Sequence, residues 1–122
     1  MIEITQPLFF RPEQRLRTAA DYDAVFSKPL RSRDRFFLLL THENIQTHTR
    51  LGLIVSKKRI RKAVSRNRVK RIIRDSFRLH QHQLPAVDVI LLAYQPADTA
   101  NSQELRLSLD KHWKKLLSLF PE

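Results

Sequence analysis

Several residue types are missing or scarce in this chain of 122 residues, which has no cysteine and a single glycine, Gly52. The lack of cysteine excludes disulfides and thiolate metal sites and fits a reducing compartment. One glycine excludes the glycine-rich loops that cradle nucleotide phosphates. No apolar run approaches the ~20 residues that span a membrane, and residues 1–14 lack the pattern of a signal peptide. We therefore expect one cytoplasmic domain without a membrane partner.

Acidic residues are also scarce, because 12 Asp and Glu stand against 23 Lys and Arg, a formal charge of +11. The excess is local. The segment from Lys57 to Arg78 holds eleven of the basic residues and one acid, Asp75. The rest of the chain is close to neutral. Charge of one sign concentrated on a short segment predicts a surface that binds a polyanion.

Two amphipathic helices are predicted outside this segment. The first follows Thr18, a suitable N-cap, and ends before Pro29. Its apolar face holds Tyr22, Val25 and Phe26. The second follows Asn101, which forms a capping box with Glu104. Its apolar face is expected to be core and holds Leu105, Leu109, Trp113, Leu116 and Phe120.

Four short strands complete the pattern of an α+β domain. Residues 35–42 and 50–56 are apolar runs of strand length, the second antiparallel to the first, and residues 87–93 form another. A weaker strand covers residues 30–33. Alternation divides the 35–42 strand into one face with Phe36, Leu38 and Leu40 and another with Phe37, Leu39 and Thr41.

The basic segment itself predicts a helix from Ser65 to His80, with Ser65 as the N-cap. Its apolar side holds Val69, Ile72, Ile73, Ser76, Phe77 and His80. Its basic side holds Asn67, Lys70, Arg71, Arg74 and Arg78, with Arg66 and Arg68 at the borders. Because Asp75 is the one acid available, the like charges repel one another, and a bound polyanion would relieve that repulsion. The R-N-R triplet at 66–68 is expected in the first turn, where free backbone N–H groups and the helix dipole also favour phosphate.

The surroundings of this helix favour RNA over DNA as the polyanion. A helix that carries arginine and asparagine could enter the major groove of DNA, but no companion helix precedes it at helix-turn-helix spacing. A strand and a basic loop precede it, a combination that favours an RNA-binding α+β domain. We expect no catalytic or metal-binding set, since the five histidines are scattered and His80 and His82 do not share a helix face.

The block from Leu51 to Phe77 resembles the signature of the protein subunit of bacterial ribonuclease P. In that family a strand ending in V-S-K-K leads through a basic loop into a helix that opens with A-V-x-R-N-R-x-K-R-x-I-R. Residues 55–58 and 63–74 match these two patterns without a gap. A match of this length is highly specific.

The resemblance implies an architecture and a domain division. An N-terminal extension at residues 1–14 precedes a ribonuclease P protein-like RNA-binding domain at residues 15–122. The domain is expected to carry three helices and about four strands in the order α-β-β-β-α-β-α. Its β-α-β crossover through the basic helix is expected to be left-handed, an exception to the usual rule.

The resemblance also implies a function. Proteins of that family bind a large catalytic RNA and help it remove the 5′ leader of precursor tRNA, with the chemistry carried by the RNA. This chain would then be a non-catalytic subunit of an endoribonuclease, with no cofactor of its own, Mg²⁺ in the RNA-containing holoenzyme and no obligate protein partner. The implied RNA contacts are Ser56, Lys57, Lys58, Arg59, Arg61, Lys62, Arg66, Asn67, Arg68, Lys70, Arg71 and Arg74. A general basic RNA-binding or ribosome-associated protein is the alternative.

A cleft for the single-stranded leader is implied between the first helix and the sheet. The corresponding residues are Tyr22, Phe26, Phe36, Leu38 and Leu40. An aromatic ring there can stack any base, worth about 1–3 kcal/mol, although the same five side chains are equally explained as core. The chain departs from the family at Leu40, where an aromatic often occurs. It also has Tyr94 and Gln95 where an arginine often precedes the proline, which leaves a leader phosphate contact open.

Overall fold

Three helices and four strands occur in the order α-β-β-β-α-β-α, in a computed structural model that describes residues 10–44 and 48–120. The helices are α1 (Ala19–Ser27), α2 (Ala63–His80) and α3 (Ser102–Leu119). The strands are β1 (Leu30–Arg33), β2 (Phe37–Glu43), β3 (Arg50–Ile54) and β4 (Val87–Ala93). The predicted α+β class is confirmed.

The N-terminal extension predicted at residues 1–14 lies mostly outside the described part of the chain, which begins at residue 10. Phe10 packs edge-on against Phe77 of α2, with 5.5 Å between the ring centroids. Arg15 then forms a parallel bridge with Leu51, on the outer edge of β3. The described end of the extension therefore packs against the main core.

The strands form one mixed sheet in the order β1-β2-β4-β3. β2 pairs antiparallel with both β1 and β4, whereas β3 pairs parallel with β4. β3 therefore runs opposite to β2, as expected, but the two are not neighbours because β4 lies between them. Parallel neighbours need a long crossover connection, and α2 provides it. The residue pattern of a single strand does not indicate which strands will be its neighbours in the sheet.

The β3–α2–β4 crossover is left-handed, as the resemblance implied. The backbone N–H of Tyr94 donates to the carbonyl of Phe36 at 2.8 Å, so alternate residues such as Leu91 direct their backbone groups towards β3. The Leu91 side chain lies in the core under α2. For L-residues, this arrangement places β3 to the right of β4 when both strands point upward and α2 faces the viewer. The chain therefore crosses leftwards, against the usual right-handed sense.

The sheet carries a main core on one face and a smaller core on the other. The main core lies under α2 and α3 and includes Phe37, Leu39, Ile73, Phe77, Leu91 and Leu109. Within it the indole N–H of Trp113 donates to the hydroxyl of Ser76 at 2.8 Å, which joins α3 to α2. The smaller core lies under α1 and includes Leu16, Val25, Leu40 and Ile90. Because α1 is short, it covers this second face incompletely.

The helix N-termini confirm two of the three predicted caps. The side chain of Thr18 accepts the N–H of residue 21 at 3.1 Å, and that of Asn101 accepts the N–H of residue 104 at 2.8 Å. The prediction for Ser65 is wrong, because α2 begins before it and its N-cap is Lys62. The reason is tertiary: Ile60 is fully buried and anchors the preceding loop, so the helix starts as soon as the chain leaves that anchor.

The single glycine lies where α1 meets the sheet. A Cβ atom at Gly52 would lie 2.7 Å from the hydroxyl oxygen of Tyr22 and 2.8 Å from its Cζ, which is inside van der Waals contact. No glycine in the described chain has a positive φ. The lack of room for a Cβ atom, rather than the backbone conformation, therefore explains why position 52 is a glycine. Gly52 allows the Tyr22 ring to lie directly against β3.

Candidate nucleic-acid interface

The cationic face predicted for α2 is present, and within the described residues most of its cations lack a counter-charge. Val69, Ile72 and Ile73 are buried beneath it, which turns the opposite side of the helix outward. Lys70, Arg71 and Arg74 have no carboxylate partner among the described residues, and the one acid of the helix, at position 75, instead pairs with residue 78 at 3.6 Å. A row of unpaired cations on a rigid helix is an electrostatic footprint for a polyanion.

The R-N-R triplet lies in the second turn of α2, where two of its residues have tertiary contacts. Arg66 donates from Nη1 to the carbonyls of Ile60 and Arg61 at 3.0 and 2.8 Å. Arg68 donates from Nη2 to the carbonyl of Ala100 at 2.6 Å. Arg66 therefore braces the basic loop and Arg68 braces the start of α3. Each guanidinium has five N–H donors, so donors remain for phosphate.

The backbone of the triplet is less available than predicted. The N–H of Arg66 donates to the carbonyl of Lys62 at 3.0 Å, inside the helix. The free N–H groups of a helix belong to its first turn, which here is residues 63–65. The prediction that this backbone N–H meets phosphate is therefore wrong, because the helix begins earlier than Ser65.

The basic loop between β3 and α2 is ordered by its ends. Ser56 accepts the N–H of Arg59 through both its side-chain and its carbonyl oxygen, at 3.3 Å each. Ile60 is buried in the main core. The remaining side chains of the loop point to solvent and include Lys57, Lys58, Arg59, Arg61 and Lys62. The loop is thus a fixed, exposed cluster of cations next to the cationic face of α2.

Four of the five residues predicted for the cleft lie near one another where α1 meets the sheet. Tyr22 and Phe26 project from α1 with 6.5 Å between their ring centroids. Leu38 and Leu40 line the sheet beneath them, in or beside the smaller core. Phe26 is 45% exposed, whereas Leu40 is only 6% exposed. Phe26 is therefore open to a ligand, and Leu40 is chiefly part of the smaller core.

The fifth predicted cleft residue, Phe36, lies elsewhere. It packs against the main core and lines a surface pocket on the α3 side with Glu104, Leu107 and Lys111. The prediction that it shares a face with Leu38 is wrong. Phe36 precedes β2 and belongs to the turn after β1, so the alternation of the strand does not extend to it.

A partly buried ion-pair cluster fixes α1 to the sheet, and sequence patterns did not reveal it. Arg50 of β3 donates to both carboxylate oxygens of Asp88 at 2.8 and 2.7 Å and lies 3.6 Å from Asp21 of α1. The hydrogen bond to Asp88 raises the pKa of Arg50 further. Hydrogen bonds from the backbone of Arg17 and Thr18, with the nearby Arg50 charge, lower the pKa of Asp21 despite some desolvation. The cluster holds α1, and with it the cleft aromatics, in place.

A second anchoring residue, Asp34, holds the turn between β1 and β2. Its Oδ1 accepts the backbone N–H groups of Phe36 and Phe37 at 2.9 Å each, and its Oδ2 accepts the hydroxyl of Ser108 in α3. Burial alone would raise the pKa of Asp34, but these hydrogen bonds and the nearby His112 hold it below the ordinary value of 3.8. The turn is thereby attached to α3.

Tyr94 follows β4 and has an arginine from two different elements against its ring. The guanidinium carbons of Arg33 in β1 and Arg59 in the basic loop each lie 5.4 Å from the ring centroid. The sequence showed only that Tyr94 departs from the family pattern. No sequence pattern indicated this cluster, because its three members are far apart in the chain.

The described residues contain no group of three or more histidine, aspartate or glutamate side chains that could hold a metal ion. Ser32, His112 and Asp34 are in contact, with Ser32 Oγ 2.8 Å from His112 Nδ1 and Asp34 Oδ1 3.3 Å from Nε2. His112 is only 2% exposed, so its ring is closed to a substrate and the contact is structural.

Within residues 10–44 and 48–120, no helix combines the length and apolar character of a membrane crossing.

Comparison with known proteins identifies the family of this chain. The Ribonuclease P family matches residues 10–117. The Ribonuclease P protein component of Methylococcus capsulatus is 44% identical over 104 residues, which cover 85% of this chain and 81% of that protein. The RNase P protein of Staphylococcus aureus has a TM-score of 0.79 and 35% identity, over 88% of this chain and 98% of that one. A mutant of the same protein, with defective mRNA degradation activity, has a TM-score of 0.78 and 32% identity over 88% and 87% of the two chains. This chain therefore belongs to the ribonuclease P protein family.

Proposed function

We propose that this chain, as a protein subunit of ribonuclease P, holds the RNA of that enzyme through the basic loop and the cationic face of α2. The observation that carries the proposal is the set of unpaired cations Lys70, Arg71 and Arg74 beside the ordered loop cations. Two RNA molecules repel each other through their phosphates. A cationic protein surface placed where they meet offsets that repulsion and strengthens their association.

The cleft beside α1 holds the single-stranded 5′ leader of precursor tRNA. Phe26 is exposed there and Tyr22 lies next to it, so α1 offers aromatic rings to a base. Stacking on such rings is tolerant of sequence and is worth about 1–3 kcal/mol per base. Tolerance suits a subunit that handles many different leaders. The partly buried Arg50 cluster keeps α1 at a fixed distance from the sheet.

The hydrolytic chemistry is carried by the RNA and its Mg²⁺ ions, and the protein acts in the cytoplasm as a non-catalytic subunit. Chemistry supports this: the serine–histidine–aspartate contact found among the described residues is closed to substrate because His112 is buried. The exposed groups of the candidate interface are cations and aromatic rings, which bind and position nucleic acid. They do not supply a nucleophile or a general base at neutral pH.

Reconstitution tests this function. We expect the protein to stimulate cleavage of precursor tRNA by a bacterial ribonuclease P RNA at low Mg²⁺ concentration. The triple variant Lys70→Ala, Arg71→Ala, Arg74→Ala should lose most of that stimulation. Its matched control is Arg106→Ala, Lys114→Ala, Lys115→Ala, which removes the same charge from exposed positions of α3. The control should stimulate like the native protein.

The same experiment separates the alternatives. A general basic RNA-binding protein would respond to net charge, so both triple variants would lose stimulation equally. Reactions with protein and substrate but without the catalytic RNA should show no cleavage. Because a Staphylococcus aureus mutant is described as defective in mRNA degradation, this arm includes an mRNA substrate. Cleavage in it would contradict a purely non-catalytic role.

A further inference from the structure

Two arginine side chains lie against the ring of Tyr94, and neither has a counter-charge among the described residues. Arg33 and Arg59 each place a guanidinium 5.4 Å from the ring centroid, and both side chains are exposed. Neither forms an ion pair with a carboxylate in the described part of the chain. Two cations held at one ring repel each other, and no carboxylate of the described residues neutralises them.

This cluster lies at the end of the cleft face. Arg33 is the cross-strand partner of Leu38, and Leu38 is the partner of Leu92, so the three side chains form a row on the face that α1 partly covers. Tyr94 follows Leu92 by two residues and lies one step beyond this row. Arg59 belongs to the basic loop. The cluster therefore stands between the leader cleft and the basic loop.

The composition of the cluster fits phosphate. Arginine donates through a planar fork that matches phosphate oxygens, and an aromatic ring under each guanidinium limits the orientations the fork can adopt. Because two guanidinium groups already lie against the ring of Tyr94, a base does not stack there without displacing them. The ring holds the cations, and the cations are the groups that face a ligand.

We propose that Arg33 and Arg59 bind phosphates of the single-stranded leader as it passes from the cleft to the basic loop, with Tyr94 as their positioning residue. This inference rests on the function proposed above. It assigns to two arginines, from β1 and the basic loop, the leader phosphate contact that the departure at Tyr94 and Gln95 left open. The substrate class is the leader backbone, recognised through charge and without regard to base sequence.

The test compares holoenzymes assembled with the double variant Arg33→Ala, Arg59→Ala and with the native protein. Binding of precursor tRNA with a long leader should weaken about tenfold for the loss of two charge-assisted contacts. The slope of log affinity against log salt should become shallower by about 1.4, at about 0.7 per single-strand phosphate. Because Arg59 also belongs to the loop that holds the catalytic RNA, selectivity is read from the single variant Arg33→Ala, which should weaken the long-leader precursor and bind mature tRNA like the native protein. Arg35→Ala is the matched control, because Arg35 also lies over a ring, at 5.3 Å from Phe36, but on the α3 side.

A conservative substitution separates positioning from mere packing. Tyr94→Phe keeps the ring and should bind the long-leader precursor like the native protein. Tyr94→Leu keeps the apolar bulk without the ring, and it should lose about half of the effect of the double variant on a logarithmic scale. Thermal unfolding of both variants accounts for any loss of folded protein.

Three results would overturn the inference. The double variant could bind the long-leader precursor like the native protein, Arg33→Ala could weaken mature tRNA as much as the precursor, or Tyr94→Leu could match Tyr94→Phe. Each of these results leaves the proposed function intact if the native holoenzyme still cleaves precursor tRNA. If the native protein fails to stimulate the RNA at all, the proposed function fails, and this inference fails with it.

Discussion

At the scale of single residues, anchoring side chains position the binding groups without facing RNA themselves. Asp34 is the example with the most partners: it accepts two backbone N–H groups of its own turn and the hydroxyl of Ser108 in α3. The turn carries Arg33 on one side and Arg35 on the other. A carboxylate that fixes this turn therefore also fixes where Arg33 meets Tyr94.

Acid should weaken this anchor. The folded-state pKa of Asp34 lies below the ordinary value of 3.8, so its contribution to stability is complete above that pH and is lost as the pH falls through the folded-state value. Asp34→Asn should have a free energy of unfolding that depends less steeply on pH below about 4, by at most one bound proton. Denaturant unfolding between about pH 5 and pH 2 measures this. Identical pH profiles for the two proteins would show that Asp34 is not shifted.

At the scale of elements, α2 combines an anchored end with a free face. Its R-N-R triplet was predicted as phosphate contacts alone, but Arg66 and Arg68 also bind the carbonyls of the basic loop and of Ala100. Lys70, a few residues on, has no such contact with the described part of the chain. Residues of the same charge on the same helix therefore divide into those that hold the fold and those free for RNA.

This division predicts different phenotypes for two alanine substitutions. Arg68→Ala should lower the free energy of unfolding by about 1–3 kcal/mol, because a charge-assisted hydrogen bond is lost and the Ala100 carbonyl loses a partner. It should also weaken assembly with the RNA. Lys70→Ala should leave unfolding within about 0.5 kcal/mol of the native value and reduce the salt slope of RNA binding by about 0.9. Urea unfolding and filter binding measure the two effects, and equal stability for both variants would contradict the anchoring role.

At the scale of the whole molecule, the formal charge of +11 has opposite effects on folding and on binding: it destabilises the folded protein and favours binding of phosphates. Most of it lies on one helix and its loop, where like charges at i,i+4 spacing repel. Salt screens that repulsion over a Debye length of about 10 Å at 0.1 M. The same salt competes with the protein for phosphates.

Added salt should therefore stabilise the free protein and weaken its complex with RNA. Between about 0.05 and 0.5 M KCl, we expect the free energy of unfolding to rise by about 1 kcal/mol, from several screened pairs of about 0.2–0.5 kcal/mol each. Over the same range the affinity for the catalytic RNA should fall steeply, at about 0.9 log units per log unit of salt for each neutralised phosphate. A flat response of RNA binding would contradict the electrostatic account, whatever salt does to unfolding.

Secondary structure was largely predictable because its causes are local. The caps at Thr18 and Asn101, strand residues 30–33 and 87–93, and the division of α2 into apolar and cationic sides all follow from short-range spacing. The start of α2 was missed because a buried residue, Ile60, outweighs the capping preference of Ser65. The place of Phe36 was missed because strand alternation does not continue into a turn.

The sequence by itself determined the order of elements, the location of the positive charge and, through its long ungapped block, the family. Periodicity, capping and charge are properties of neighbouring residues, so they are visible without a fold. Only the tertiary structure decided which cations are free, that β4 lies between β2 and β3, and that Arg33 and Arg59 meet at Tyr94. These facts join residues far apart in the chain, and such contacts depend on how the sheet and helices pack rather than on any local pattern.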